Sequence, residues 1–423
     1  MKFREIRNVA LNESYHEIIH ASGLTILVMP KVGYSSAYAV FAAKYGSIDT
    51  RIALADGGFA DIPEGTAHFL EHKLFESEEL DAFERFAKTG ASANAYTSFD
   101  RTGYLFSCTE NFKESLGILL DFVQKPYFTQ ETVEKEQGII GQEIKMYKDV
   151  AEWEVLFNLL RALYHVSPVR IDIAGTEESI AQISAEMLYS CYNSFYNLNN
   201  MVLAVSGNAT VQDVLEVADR LLKPQDGVMA KREFVLEPPE PATAYIEEKL
   251  SVNAPQFMLG YKEHISTPER TTEERLSTGI LLDIIAGKSS PLYKRLLEAE
   301  LINTSFSFEY FEGFGYACPM FGGESKNPEA VATEIKNEIR KLKVDKVDEK
   351  SFERTRRKLY GRMIMMYNDV DGLANELAAT FFTGNGLFDD LEGCKAITLD
   401  TINNRLDEIL DEAGAALSVI LPV

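Results

Sequence analysis

GTAHFLEHKLFE, residues 65–76, holds two histidines four residues apart, with a glutamate directly before the second. Gly65 and Thr66 can open a helix. On a helix His68 and His72 lie one turn apart on one face, with Glu71 on the adjacent edge. Phe69, Leu70, Leu74 and Phe75 continue an apolar stripe beside them, so the helix is predicted to be largely buried. A buried imidazole needs a partner for its polar atoms, and a metal ion is one. A catalytic zinc takes three protein ligands and keeps a fourth position for water. His165 and His264 stand alone and read as local structural residues, so the third ligand is sought among carboxylates.

ETVEKEQGIIGQEIKMYKD, residues 131–149, supplies them. It reads as one long helix on which Glu136 and Glu143, seven residues apart, share a face over two turns. Glu131 and Glu134 suit a solvated acidic face, whereas Glu143 lies among Ile139, Ile140 and Ile144. Gly138 and Gly141 each cost about 1 kcal/mol relative to alanine inside a helix. Two of them on one stretch suggest that another helix, the one carrying HFLEH, approaches closely there. Spacing alone does not choose between Glu136 and Glu143 as the ligand.

A second histidine pair, HEIIH at 16–20, has the letters of a zinc-protease helix. Gly23 and the β-rich run TILVMP (25–30) follow at once. On the first strand of a hairpin turning at 21–23, the histidines stand roughly 13 Å apart at about 3.3 Å per residue, too far to share an ion. The pair is read as part of a strand hairpin, without metal.

Working outward, residues 223–243 (KPQDGVMAKREFVLEPPEPAT) are rich in proline and charge and lack periodicity. They read as a linker between halves 1–222 and 244–423. In the first half, TILVMP and AYAVFAAKYGS (37–47) are predicted strands, 66–76 and 79–89 helices, ASANAYTSFD and RTGYLFSCT a hairpin, and MVLAVSG (201–207) a strand after further helices. The second half echoes the order: strand 256–262, helix 272–287, hairpin 305–322, helices over 328–412 and a closing strand ALSVILPV. The expectation is an α+β protein made of two copies of one unit, each burying a sheet face under helices.

The length, 423 residues, exceeds what one core usually supports. A net charge of −23, from 42 basic and 65 acidic residues, repels nucleic acid and anionic membranes and favours basic or neutral ligands. Cys108, Cys191, Cys318 and Cys394 are scattered, as small buried hydrophobes of a reducing compartment would be. The first residues lack the apolar core of a signal peptide, and no run approaches membrane-spanning length. A cytoplasmic location is expected.

GTAHFLEHKLFE, ASANAYTSFDRTGYLF (91–106) and EKEQGIIGQEIKMYKD (134–149) together resemble the pitrilysin, insulysin and mitochondrial-processing-peptidase family, the inverzincins, and most closely its bacterial processing-peptidase branch. The likeness runs closely to SFYNLNNMVLAVSGNAT (194–210) and continues as layout in the second half. It implies two α/β-roll halves, each a mostly antiparallel sheet covered by helices, and one zinc ion per chain held by His68, His72 and Glu143. Glu71 becomes the general base and proton shuttle, and Glu136 a carboxylate behind the ligands. Asn94, Ala95, Tyr96 and Thr97 become the edge strand on which a peptide substrate is laid.

One departure stands out. Family members carry an Arg and a Tyr, seven apart, after an S-x-L-x-x-x-L run in the second half. In SSPLYKRLLEAELINTSF (289–306) the matching positions are Leu297 and Thr304, with Arg295 and Tyr310 nearby but out of register. The resemblance therefore implies a peptide-hydrolysing heterodimer whose related partner supplies that pair, with a homodimer as the alternative arrangement. A non-catalytic binding or scaffold subunit is the alternative function.

Overall fold

The computed structural model describes residues 2–53, 58–78, 80–224 and 231–423. Two sheets organise the chain. The first contains β1 (Lys2–Asn8), β2 (Glu13–Ile19), β3 (Thr25–Pro30) and β4 (Ala37–Ala43). A separate pair, β5 (Arg51–Ala53) and β6 (Phe59–Asp61), comes next; β7 (Ser92–Thr97), β8 (Thr102–Cys108) and β9 (Met201–Gly207) then complete the first sheet in the order β1-β2-β3-β9-β4-β8-β7. Only β3 and β9 pair in parallel within it. The central strands β4 and β9 are buried at every position, which is why AYAVFAA and MVLAVSG are apolar without alternation.

The second sheet contains β10 (Tyr245–Leu250), β11 (Gln256–Tyr261), β12 (Ser307–Gly313), β13 (Tyr316–Glu324) and β14 (Ala415–Pro422), in the order β10-β14-β11-β13-β12. Its one parallel pair is β10–β14. This is the order β3-β9-β4-β8-β7 of the first sheet with the same sense at every pairing, so both halves are copies of one topology, with the β1–β2 hairpin added to the first. The expected α+β architecture of two mostly antiparallel sheets covered by helices is what the chain adopts. In the second sheet, Phe257, Leu259, Tyr261 and Phe321 pack with Leu276, Ile280 and Leu281 of the helix Thr272–Ala286.

The chain divides into two compact units that do not simply follow the 223–243 boundary. One is Met1–Gln142, Asp172–Arg232 and Ile364–Phe388; the other is Glu143–Ile171, Glu233–Met363 and Asp389–Val423. Each sheet keeps its own strands, but each takes one helix from the other half of the sequence. The helix Val370–Thr383 packs on β4 and β9, and the helix Ala151–Leu163 packs on β11 and β14. Glycines receive both: a Cβ on Gly207 would meet Val370 at 2.8 Å, and one on Gly260 would meet Leu159 at 2.9 Å.

Of the linker stretch, residues 225–230 lie outside the described residues. Past them, Arg232 and Glu237 are anchored despite the composition around them. Arg232 donates to Asp49 at 2.7 and 2.8 Å, and Glu237 accepts from Lys262 at 2.9 Å and from the backbone at 165–167. The helix expected over 79–89 runs Ala82–Thr89, capped by Asp81; residue 79 lies outside the described residues. The four cysteines are buried and unpaired with one another.

Candidate metal centre

The helix Thr66–Leu74 starts where Gly65 turns the backbone through φ +83°. That conformation suits glycine, and a Cβ there would stand 2.3 Å from the Ala174 carbonyl oxygen. No other residue fits this turn. Phe69, Leu70 and Leu74 are buried as their spacing predicts. The same register brings His68 and His72 together, their rings 4.5 Å apart and nearly edge-on.

The carboxylates come from the helix Gln130–Lys148. Donor atoms of His68, His72 and Glu143 all lie within 4.8 Å of one another, the one such three-residue group among the described residues. Two imidazoles and a carboxylate are a zinc donor set that leaves a fourth position open. These residues fit the ion that the sequence implied. Glu136, 7% exposed, meets His72 Nδ1 with Oε1 at 3.0 Å, the kind of carboxylate contact that fixes the ring of a metal-ligating histidine. Burial, and after it the neighbouring His72, push the His68 imidazole down to about 3. A neutral imidazole is the form a metal requires.

Glu71 stands beside the cluster and accepts a hydrogen bond from Thr97 Oγ1 at 3.0 Å. The strand β7, which carries Asn94, Ala95, Tyr96 and Thr97, packs against the helix Thr66–Leu74 and ends the sheet, paired with β8 on one side. Tyr96 lies across Gly103 of β8, where a Cβ would come within 2.7 Å of its ring. Asn94 Oδ1 accepts from the Ala95 amide at 2.9 Å. Thr97 thus touches the carboxylate that the sequence singled out, a contact invisible in the spacing of the two motifs.

Gly138 and Gly141 do not behave as expected. A Cβ at either would meet nothing within 4 Å, so no neighbouring helix depends on them. Besides the His72–Glu136 contact, the two helices are joined by Lys73, which is fully buried; its Nζ donates to the Thr132 carbonyl at 3.3 Å and pairs with Glu76. The signal was present in the sequence: position 73 is four residues from Phe69 and three from Leu70, inside the apolar stripe.

HEIIH is strand and turn. Glu13–Ile19 pairs antiparallel with β3, the His16 ring lies tilted against Phe3 with centroids 5.2 Å apart, and His20 is buried. Its Nδ1 meets Ser22 Oγ at 2.8 Å and its Nε2 meets Asp219 Oδ1 at 2.9 Å. In the second half, Leu297 and Thr304 are exposed. Arg295 is bound to Glu338 at 2.6 Å, and the Tyr310 hydroxyl donates to Glu263 at 2.8 Å while accepting from Arg405 at 3.0 Å.

Fold and site together define a class: a duplicated sheet-and-helix protein with a two-histidine, one-carboxylate cluster in its first half. Comparison with known proteins identifies it further. Residues 54–177 match Insulinase (Peptidase family M16), and residues 182–359 match the Peptidase M16 inactive domain. An uncharacterized zinc protease of Bacillus subtilis, YmfH, is 40% identical over 416 residues, 96% of each chain. A probable mitochondrial-processing peptidase subunit beta of Arabidopsis thaliana is 24% identical over 213 residues, covering 49% of this chain and 40% of that one. The crystal structure of an M16-like peptidase from Alicyclobacillus acidocaldarius superposes with a TM-score of 0.93 at 34% identity, covering 100% and 99% of the two chains. The chain belongs to the M16 peptidase family.

Proposed function

We propose that this chain is the metal-bearing subunit of a cytoplasmic zinc endopeptidase that hydrolyses unfolded peptides or short leader segments in a chamber shared with a related subunit. The observation that carries the reading is the convergence of His68, His72 and Glu143 on one point, beside Glu71 and an open sheet edge. His68, His72 and Glu143 would hold one zinc ion, and Glu136 would orient His72 through its 3.0 Å contact. Bound there, zinc supplies a water of lowered pKa and polarises the scissile carbonyl.

The remaining steps belong to the protein. The free edge of β7 takes the peptide as an added strand, with main-chain hydrogen bonds giving affinity and alternate side chains giving preference. Asn94, Ala95, Tyr96 and Thr97 would form that edge. Glu71 accepts the proton of the attacking water and returns it to the leaving amine. Thr97, hydrogen-bonded to Glu71, holds the carboxylate in one orientation.

The commitment of Arg295 to Glu338 and of Tyr310 to Glu263 and Arg405 favours a partner that supplies the Arg/Tyr pair. Relatives named as processing-peptidase subunits fit that arrangement. The same absence favours the second reading, a subunit that keeps its metal without turnover. The test measures zinc per purified chain for wild type, Glu143→Gln and Glu136→Gln, then cleavage of an unfolded polypeptide with and without the related subunit. One zinc per chain, lost mainly with Glu143→Gln, and cleavage that rises on adding the partner are expected. A metal-free wild type after zinc is supplied at neutral pH would overturn the proposal, and a zinc-loaded pair without cleavage would leave the scaffold reading.

A further inference from the structure

The first sheet has two ends. One is β7, beside the metal cluster. The other is β1, which among the described residues pairs only with β2 and is the last strand in the order. Lys2, Phe3, Arg4, Glu5 and Arg7 are exposed along it, with Phe3 57% and Val9, just past the strand, 82% exposed. An exposed strand edge offers a row of unpaired amides and carbonyls to another strand.

We infer that β1 pairs with β1 of a second copy of this chain, antiparallel about a two-fold axis at Ile6, joining two first-half sheets edge to edge. Charge selects both the partner and the register. Side chains opposite one another in such a pair must lie on the same face, so a two-fold axis perpendicular to the sheet passes through one residue and its own copy. An axis at Arg4, Glu5 or Arg7 sets like charges directly against each other, which destabilises a strand pair.

The axis at Ile6 alone among these four avoids that clash. It sets Glu5 against the partner's Arg7 and Arg7 against the partner's Glu5, with Ile6 on the partner's Ile6 and Phe3 towards the partner's Val9. Arg4, whose charge would otherwise be surplus, is already bound to Glu17 of its own chain at 3.0 Å and meets the partner's Asn8. The contact spans one seven-residue strand on each side, small for a specific interface, so the dimer is weak and concentration-dependent. It leaves the β7 edge free, since the two edges are at opposite ends of the sheet.

The experiment is sedimentation equilibrium of the full chain from low-micromolar to hundred-micromolar concentration. Wild type is expected to dimerise. Glu5→Arg turns two attractions into repulsions and is expected to raise the dissociation constant about tenfold or more. The swap Glu5→Arg/Arg7→Glu restores opposite charges across the axis and is expected to restore dimerisation. Under mild oxidation Ile6→Cys should form a disulfide-linked dimer, because facing residues have Cα atoms about 4.5–5.5 Å apart, while Arg4→Cys should not. A chain that stays monomeric, a dimer indifferent to Glu5→Arg, a swap that fails to restore it, or capture of an acidic peptide in place of a second copy would each overturn the inference.

Discussion

The two halves repeat nearly the same scaffold and load it differently. Between β4 and β7 the first half has the helices Thr66–Leu74 and Ala82–Thr89; between β11 and β12 the second has Thr272–Ala286 and Pro291–Glu298. Where the first presents His68, Glu71 and His72, the second presents Leu276, Ile280, Leu281 and Ile284 to its core. The second helices after the two hairpins differ as sharply. Gln130–Lys148 carries the carboxylates of the cluster, whereas Glu349–Met366 carries Lys350, Arg354, Arg356, Arg357, Lys358 and Arg362 against Glu349 and Glu353. A common topology therefore accounts for the fold but not for the chemistry, which resides in a few side chains grafted onto one copy.

The comparison also shows that the copies are not independent. The exchanged helices bury Val370, Leu373, Leu377 and Phe382 on one sheet and Val155, Leu159, Leu160 and Leu163 on the other. At about 1.5–3 kcal/mol per large apolar side chain, either set rivals the roughly 5–15 kcal/mol that keeps a domain folded. The largest expected effect is accordingly on separation. Residues 1–222 and 244–423 made alone should show no cooperative thermal transition by circular dichroism, and should regain one when mixed. A half that melts cooperatively alone would make its borrowed helix dispensable.

Glu71→Gln should cut peptide cleavage by about 10²–10⁴-fold while zinc per chain stays at the wild-type value. His68→Ala should lose both. Loss of zinc from Glu71→Gln would move that residue from proton transfer to metal binding.

The second half makes its own use of buried charge. Arg405 binds both oxygens of Glu263 at 2.8 Å and donates to Thr278 at 2.9 Å. Arg405→Leu removes the two-oxygen partner of Glu263 and leaves that carboxylate with Arg270 at 3.4 Å and the Tyr310 hydroxyl, so a loss of about 1.5–3 kcal/mol in denaturant unfolding is expected. Zinc binding by whatever remains folded should be unchanged, which would mark this network as structural.

The smallest effect concerns HEIIH. His16→Ala should leave zinc content and cleavage unchanged. His20→Ala should also spare the metal but cost about 1–3 kcal/mol, because the buried Ser22 loses its imidazole partner. Zinc lost from either variant would reverse the assignment.

Much of this was legible because the signals were local. The apolar periodicity of 65–76, the E-x6-E spacing of 131–149, the unbroken apolar runs of β4 and β9 and the turn at Gly23 each depend on neighbours within a few residues. HFLEH could be preferred to HEIIH because a helix and a hairpin place position i+4 differently. The reading of Gly138 and Gly141 failed for a related reason. A glycine records only that a side chain is absent, and the open space beside these two shows that no neighbour makes use of it. Lys73 was overlooked through its residue type, although its place in the stripe was plain.

By itself, then, the sequence determined the two-half α+β architecture, the candidate ligand types and the contrast between an imidazole-bearing first half and an aliphatic second one. Only the tertiary structure decided which residues meet. It brought Glu143 to His68 and His72, Glu136 to the back of His72 and Thr97 to Glu71, and it sent each half's helix to the other's sheet. The physical reason is range. Secondary structure and burial follow from periodicity over one or two turns, whereas those contacts join residues 26 to more than 200 positions apart, and only the packing of the whole chain selects them.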